Sequence, residues 1–217
     1  FNNVKNIKSR HLNNIYHVGL PTESKIKFKK RNISFDENKK IKIFVYGGSQ
    51  GSINLNNGFI NIIQKLPNIY CNKLSLIIQS ANNQIPKIKD KLKELKIDFD
   101  LKSFFNDIHK ILKLSDIAVA RSGAGTINDI ISAQIPSILV PFPHSIYDHQ
   151  YINAKYLVEK QSAILVEEKD FYLDSTYLVF KELFDNIDKR VSLINNLQAI
   201  RILDANKLIF KKIVKWT

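Results

Sequence analysis

The sequence predicts an α/β protein with a Rossmann-like parallel sheet and helices on both faces. Short β-branched segments alternate with amphipathic helical segments, a pattern that calls for parallel strands joined by crossover helices. Two of the strand-to-helix junctions are rich in glycine, and sheets of this kind bind ligands beyond the carboxyl ends of their strands. With 217 residues, 44% of them hydrophobic, the chain is long enough to bury a full core.

Six strands are predicted from short runs of β-branched and aromatic residues. They cover residues 41–46, 74–79, 97–101, 117–120, 137–140 and 163–166. Helices are predicted after Gly51 and after Thr126, and at residues 86–95, 107–114 and 148–160, while 174–216 is helical in pattern. The first helix stops at Pro67, and its inward face is predicted to carry Ile53, Phe59, Ile60, Ile63 and Leu66.

The first forty residues lack this alternation and are predicted to be a connector into a domain at 41–217. Their dense basic stretch, 25–42, is interpreted as a solvated linker, with docking at anionic lipid as the alternative. The chain contains no methionine and begins with Phe1. The sequence is therefore expected to be a piece of a longer protein or a processed product.

The composition excludes several classes of protein. No apolar run approaches the ~18–20 residues that span a bilayer. The single cysteine, Cys71, cannot form an intramolecular disulfide or a thiolate metal cluster. The formal net charge of +13 suits an anionic partner, but no basic patch interleaved with aromatic residues accompanies it. No nucleic-acid partner is therefore predicted.

The two glycine-rich loops, 47–51 and 122–126, are candidate anion sites. Glycine lets backbone amides approach a ligand closely, and the N-terminus of the following helix favours negative charge. Neither loop fits the P-loop pattern G-x-x-x-x-G-K-[ST] or the dinucleotide pattern G-x-G-x-x-G. Together the loops predict a phosphate site of another kind.

Several polar residues near these loops are candidates for ligand binding or for a structural role. Asp129 lies one turn into the helix after the second loop, where it either accepts hydrogen bonds from a ribose diol or complements the helix dipole. Asp148 is interpreted as a helix N-cap. His149 and Gln150 either face a sugar or are structural. His144 and His149 lack a third ligand, so no metal site is predicted.

Three motifs occur in the order and spacing of the MurG family, whose donor-binding half the chain resembles from about residue 18 onward. They are residues 43–51, residues 121–129, and residues 141–144 with 148–150 and 153–154. Members are two-domain GT-B glycosyltransferases that move N-acetylglucosamine from UDP-N-acetylglucosamine to lipid I, forming lipid II. The resemblance implies the C-terminal half of a GT-B glycosyltransferase and a role in peptidoglycan synthesis.

The resemblance implies a donor contact at each matching position. Ser49 would contact the diphosphate, with Gln50 and Gly51 shaping that loop. Phe105 falls where the family holds the uracil through backbone contacts. The nucleotide would be wrapped by Gly123, Ala124, Gly125, Thr126, Ile127 and Asn128.

Two further contacts concern the sugars of the donor. Asp129 would take the ribose hydroxyls in place of the glutamate that the family usually carries. Gln150 would hydrogen-bond the hydroxyls of N-acetylglucosamine, with His149 adjacent.

The connector departs from the family pattern V-G-N-P-V-R, whose arginine approaches the donor phosphates. Here the matching segment, 18–23, ends in Glu23. Like charges ~4 Å apart at an effective dielectric constant of ~20 repel by about 4 kcal/mol. Either Glu23 points away and Lys25 or another lysine replaces the arginine, or donor affinity is reduced.

The family's acceptor site and general base belong to an N-terminal domain that this chain lacks. The resemblance therefore implies donor binding without turnover, with no catalytic residue, metal or cofactor in this chain. For the whole protein it implies lipid I as the acceptor and a peripheral location on the cytoplasmic face of the plasma membrane.

Two alternatives stay open. One is another GT-B enzyme with a similar donor half, such as a different UDP-sugar transferase or a UDP-N-acetylglucosamine 2-epimerase. The other is a non-catalytic nucleotide-sugar-binding subunit that docks on a partner through its C-terminal helix. That helix would present Ile209, Phe210, Ile213, Val214 and Trp216, for which ordinary core packing is the preferred interpretation.

Overall fold

The computed structural model describes residues 31, 39–47, 52–201 and 205–214. Among them, one parallel sheet contains six strands in the order β3-β2-β1-β4-β5-β6. The strands are β1 (Ile41–Tyr46), β2 (Leu74–Gln79), β3 (Asp98–Lys102), β4 (Ile117–Ala120), β5 (Ser137–Leu139) and β6 (Ile164–Leu165). This confirms the predicted Rossmann-like sheet, whose strand order reverses between β1 and β4.

Helices connect the strands and cover both faces of the sheet. They are α1 (Ile53–Lys65), α2 (Asn68–Cys71), α3 (Ile85–Glu94), α4 (Ile108–Leu114), α5 (Ala124–Ala133), α6 (His149–Glu159), α7 (Asp174–Asp185), α8 (Ile187–Ile200) and α9 (Ala205–Val214). Short 3₁₀ turns at Ile146–Asp148 and Glu168–Asp170 precede α6 and α7. None of the described helices has the length and hydrophobicity needed to cross a membrane.

The sheet separates two apolar cores because successive strand residues point to opposite faces. On β1, Ile43 and Val45 join the core under α1, α3 and α7. Phe44 and Tyr46 join the other core, which lies under α4, α5 and α6. Every one of these four side chains is at least nine-tenths buried, so β1 is anchored on both sides up to the residue where the first glycine loop begins.

Two predictions about helix faces are wrong. Ile53 is 43% exposed because it is the first residue of α1, beyond the turn that packs on the sheet. On α9 the core-packing interpretation fails among the described residues. Ala205 is the buried position of that helix, whereas Phe210 and Ile213 are 66% and 60% exposed.

Asp148 occupies the predicted N-cap position of α6, but its side chain makes no capping hydrogen bond. Its φ of 54° places it in the left-handed region. That backbone conformation is unusual for a residue other than glycine. Tyr147 before it has a φ of 51°, so two successive left-handed residues shape the turn that leads into α6.

Of the predicted connector, Arg31 and residues 39–40 are described. The Arg31 guanidinium donates hydrogen bonds to the carbonyl oxygens of Ser115 and Leu112, the latter at 3.1 Å. Its backbone N–H donates to Gln134 Oε1 at 2.8 Å. Arg31 therefore contacts the C-terminal ends of α4 and α5.

Candidate functional site

The candidate site lies at the carboxyl ends of β1 and β4, where the strand order reverses. Tyr46 pairs with Ala120 in the parallel register, so the chain leaves these two strands at neighbouring positions, at Gly47 and at Arg121. In the first loop the predicted contacts Ser49, Gln50 and Gly51 lie outside the described residues. Gly47 is required by the turn itself, because a Cβ there would come within 2.8 Å of the Ser52 nitrogen.

The second loop has glycines that the fold itself does not require. Gly123 is the N-cap of α5, with φ −62° and ψ 155°, and no side chain of the described residues caps this helix. Gly125 lies in the first helical turn. Within the described part of the chain, a Cβ built on either glycine would meet nothing within 4 Å. Neither backbone conformation nor internal packing calls for glycine, so the open space above both residues can admit a ligand.

The first turn of α5 presents its backbone to this space. Ala124 and Gly125 are exposed and Thr126 is half-buried. The first N–H groups of a helix have no intrahelical acceptor, and the dipole adds partial positive charge there. Ile127 differs from its neighbours. Its side chain is fully buried, and its N–H donates to the Gly123 carbonyl at 2.9 Å, so it anchors the helix in the core.

Asp129 lies one turn further along α5, with its side chain 25% exposed. Its Oδ1 is 3.8 Å from Nδ1 of His109 on α4. Burial raises the pKa of Asp129, and His109 lowers it by a smaller amount. Tyr46 approaches from β1, and burial together with the Asp129 charge raises the pKa of its phenol well above the usual value.

Asp129→Asn is expected to stabilise the fold at pH 7, by about 0.5–1 kcal/mol, the usual scale for relieving a functional-site cost. The pKa of Asp129 is higher in the folded state than in the unfolded state. Its contribution to the free energy of unfolding is therefore fully present at pH values below the ordinary aspartate pKa, and it is lost as the pH rises through the raised pKa. Urea unfolding should show the advantage of asparagine at pH 7 and its decline toward pH 4. Asp90→Asn, exposed on α3, is the matched control. An Asp129→Asn variant less stable than wild type at pH 7 would contradict this expectation.

Of the predicted donor contacts Phe105 and Asn128, the first is buried in the core and the second is half-buried on α5. The Phe105 ring is buried, packs edge-on against Phe44 with centroids 5.9 Å apart, and lies under Lys102 Nζ. Its side chain therefore belongs to the core, which leaves the backbone as the part able to contact a base. Asn128 is half-buried on α5, next to Asp129.

The third predicted segment is tied to the second glycine loop by hydrogen bonds. Ser122 Oγ donates to the Gln150 carbonyl at 2.8 Å, and Asn153 Nδ2 donates to the Ser122 carbonyl at 3.0 Å. The Gln150 side chain accepts from the Phe142 N–H at 3.0 Å, which fixes the direction of its amide. His149 Nδ1 lies 2.7 Å from the Ile146 carbonyl, so the ring stabilises the turn before α6.

Arg121 joins four strand-to-helix loops, although the sequence analysis gave it no separate role. Its guanidinium donates to Ser52 Oγ at 2.7 Å and to the carbonyls of Val140 and Pro141 at 3.2 and 3.0 Å. It also pairs with Glu168. The side chains of Arg121 and Glu168 are 6% and 15% exposed. The buried Arg121 side chain thus connects Ser52, at the start of α1, with the loops after β4, β5 and β6 and fixes their relative positions.

A cavity of about 370 Å³ opens beside this arginine cluster. Asp148, Glu167 and Glu168 line it, together with Phe142 and Lys169. Glu167 is paired with Lys169 and Glu168 with Arg121. Carboxylates accept hydrogen bonds from hydroxyl groups, so this cavity suits a sugar. Among residues 31, 39–47, 52–201 and 205–214, no group of three or more His, Cys, Asp or Glu side chains is placed to hold a metal ion.

Residues 42–208 match the family model described as the glycosyltransferase family 28 C-terminal domain. The chain belongs to glycosyltransferase family 28. The matched segment begins at the second residue of β1, runs through α8, and contains both glycine-rich loops and Arg121 with its partners Ser52 and Glu168. The features of the candidate site thus all lie inside the family 28 domain.

Relatives of this family 28 chain confirm the predicted MurG resemblance. A UDP-N-acetylglucosamine–N-acetylmuramyl-(pentapeptide) pyrophosphoryl-undecaprenol N-acetylglucosamine transferase from Rickettsia akari is 37% identical over 161 residues, which is 71% of this chain and 41% of the relative. The protein of the same name from Aquifex aeolicus is 28% identical over 178 residues, which is 79% of this chain and 49% of the relative. The family 28 chain therefore spans less than half the length of these curated relatives.

The crystal structure of MurG from Acinetobacter baumannii shares the fold of this family 28 domain. It superposes with a TM-score of 0.75 at 21% identity, over 85% of this chain and 55% of that one. This likeness confirms that the sheet and its helices form the C-terminal half of a GT-B glycosyltransferase fold.

Proposed function

We propose that this chain is the donor-binding half of an N-acetylglucosaminyltransferase that uses UDP-N-acetylglucosamine to convert lipid I into lipid II. The observation that carries the proposal is the N-terminus of α5, which no described side chain caps. A Cβ on Gly123 or Gly125 would meet no atom of the described residues within 4 Å, so neither glycine is required by packing. The names of the relatives, which are N-acetylglucosamine transferases that act on a lipid-linked pyrophosphate, support this choice of substrates.

The diphosphate is assigned to this open helix N-terminus. Backbone N–H groups of Ala124, Gly125 and Thr126 point out of the first turn, and a helix N-terminus carries about half a positive charge. When the glycosidic bond breaks, the UDP leaving group gains negative charge. Donors already aimed at that charge stabilise it without reorganisation.

The rest of the donor is assigned to the groups around this helix. Asp129 accepts hydrogen bonds from the ribose hydroxyls, because an ionised carboxylate only accepts. The backbone at Phe105 holds the uracil. Gln150 binds the N-acetylglucosamine, beside the acid-lined cavity that suits hydroxyl groups.

Transfer also requires a base that deprotonates the acceptor hydroxyl. We assign that base and the lipid I site to an acceptor-binding half that precedes this domain, and we place the whole enzyme at the cytoplasmic face of the membrane. The 217-residue chain is accordingly expected to bind the donor without turnover.

The test is calorimetric titration of the wild-type chain and the Gly125→Ala variant with UDP-N-acetylglucosamine. The added methyl group occupies the open space above α5, so donor affinity is expected to fall by about tenfold or more while the fold is unharmed. Ser192→Ala, an exposed α8 position, is the matched control. UDP-glucose, UDP-N-acetylgalactosamine and ADP report the specificity.

Equal donor affinity in wild type and Gly125→Ala would contradict the assignment of the diphosphate to α5. Preference for another UDP-sugar would favour a different GT-B transferase. Absence of binding to any uridine nucleotide, both in this chain and in the same chain joined to an acceptor-binding half, would overturn the proposed function.

A further inference from the structure

Three polar groups from different elements converge beside the proposed nucleotide site. Asp129 comes from α5, His109 from α4 and Tyr46 from the last position of β1. The Tyr46 hydroxyl and the His109 Nδ1 are both buried and have no hydrogen-bond partner among the described residues. Buried polar atoms without a partner are uncommon and call for an explanation.

The geometry of the pair is close to a hydrogen bond but short of one. His109 Nδ1 lies 3.8 Å from Asp129 Oδ1, and an N–H···O bond needs about 2.7–3.2 Å. A shift of less than about 1 Å would complete it. The Asp129 side chain is partly exposed and that of His109 is 33% exposed, so both side chains have room to adjust.

Binding a ribose diol requires a defined orientation of the Asp129 carboxylate. Its two oxygens must face two adjacent hydroxyl groups, but the carboxylate is free to rotate about the bond that joins it to Cβ. Each carboxylate oxygen has two acceptor positions, so Oδ1 can accept from an imidazole N–H and from a ribose hydroxyl together. An imidazole donor would thus orient the carboxylate without competing with the sugar.

We propose that His109 is a positioning residue for donor binding: when ribose engages Asp129, the His109 Nδ1–H donates to Oδ1 and fixes the carboxylate to receive both hydroxyls. The inference rests on the proposed function, since it requires Asp129 to bind the donor ribose. His109 itself touches no donor atom. It acts on the recognition of the ribose and leaves the binding of the diphosphate unchanged.

The test compares the affinities for UDP and 2′-deoxy-UDP, which differ by one ribose hydroxyl. The wild-type chain is expected to prefer UDP by about tenfold, the scale of one hydrogen bond to a charged group. His109→Leu keeps the bulk but removes the donor, and its preference is expected to fall below about threefold. His109→Asn carries an amide nitrogen near the position of Nδ1 and is expected to restore most of the preference.

Affinity for 2′,3′-dideoxy-UDP, which lacks both of the hydroxyls that Asp129 would bind, is the internal control. It is expected to stay within about twofold of wild type in both His109 variants, which shows that the fold and the diphosphate site are intact. A merely structural histidine would lower both affinities together and would not be rescued by asparagine.

The outcomes separate this inference from the proposed function. If Asp129→Ala removes the UDP preference and His109→Leu retains it, the role of His109 is overturned and the proposed function stands. If Asp129→Ala leaves the preference unchanged, the ribose assignment and the role of His109 fail together. If the wild-type chain, alone and joined to an acceptor-binding half, binds neither nucleotide, the proposed function is overturned and the inference with it.

Discussion

Replacing Arg121 with methionine is expected to lower the free energy of unfolding by about 3–5 kcal/mol, the range measured when one partner of a buried ion pair is removed. Methionine keeps much of the length of the side chain but offers no donor. Glu168, 15% exposed, would lose its charge partner. The carbonyl oxygens of Val140 and Pro141 would lose their hydrogen bonds.

The same replacement is expected to weaken UDP binding beyond its effect on stability. Arg121 connects Ser52, the N-cap of α1, with the loops after β4, β5 and β6. Those loops lead into α5, with its glycine turn, and into α6, which carries Gln150. A displacement of about 1 Å in a positioning group is enough to cost binding and catalysis heavily, so the variant is expected to bind poorly even where it is fully folded.

Urea unfolding and UDP titration measure the two effects separately. Arg121→Lys retains the charge but not the planar fork, so it is expected to recover only part of the stability. In the double variant Arg121→Met/Glu168→Gln a neutral amide replaces the buried carboxylate, so no unpaired charge remains. The combined loss of stability should therefore be smaller than the sum of the single losses. A loss below about 1 kcal/mol for Arg121→Met would show that the cluster does not hold the loops.

The strands that the sequence predicted best are rich in apolar residues on both faces. Residues 41–46, 74–79 and 117–120 were predicted with the bounds that β1, β2 and β4 have in the structure, because strands of a parallel sheet that is covered on both faces are mostly apolar. β6 is shorter than predicted, at Ile164–Leu165, because it lies at the edge of the sheet and pairs on one side.

Local patterns located the second glycine loop but not the contacts that support it. Arg121 meets Ser52 and Glu168, which are 69 and 47 positions away in the sequence, and no periodicity signals such a meeting. The available sequence signal was an arginine directly after an apolar strand, a position where a side chain is usually buried. The hydrophobic pattern of α4 likewise identifies only the inward face of that helix. The approach of His109 to Asp129 depends on how α4 packs against α5, which the pattern does not show.

Gly58 differs from Gly125 because the packing around it leaves no room for a Cβ. Gly58 lies inside α1, where alanine is ordinarily better by about 1 kcal/mol. Here a Cβ would lie 2.8 Å from Cε2 of the buried Phe171 ring, and closer still to Cγ and Cδ2. Gly58→Ala is therefore expected to destabilise the fold, by about 2 kcal/mol net, because overpacking a filled core outweighs the gain in helix propensity.

The matched comparison for Gly58→Ala is Gly125→Ala, the same substitution in a helix with open space above it. That variant is expected to be neutral or more stable by about 0.5–1 kcal/mol, so the two changes should have opposite signs in urea unfolding. Adding Phe171→Leu to Gly58→Ala gives the new methyl group room, and the double variant should lose less than the two single variants combined. If Gly58→Ala proved as stable as wild type, then α1 and the segment that carries Phe171 would have to be less tightly packed than their geometry indicates.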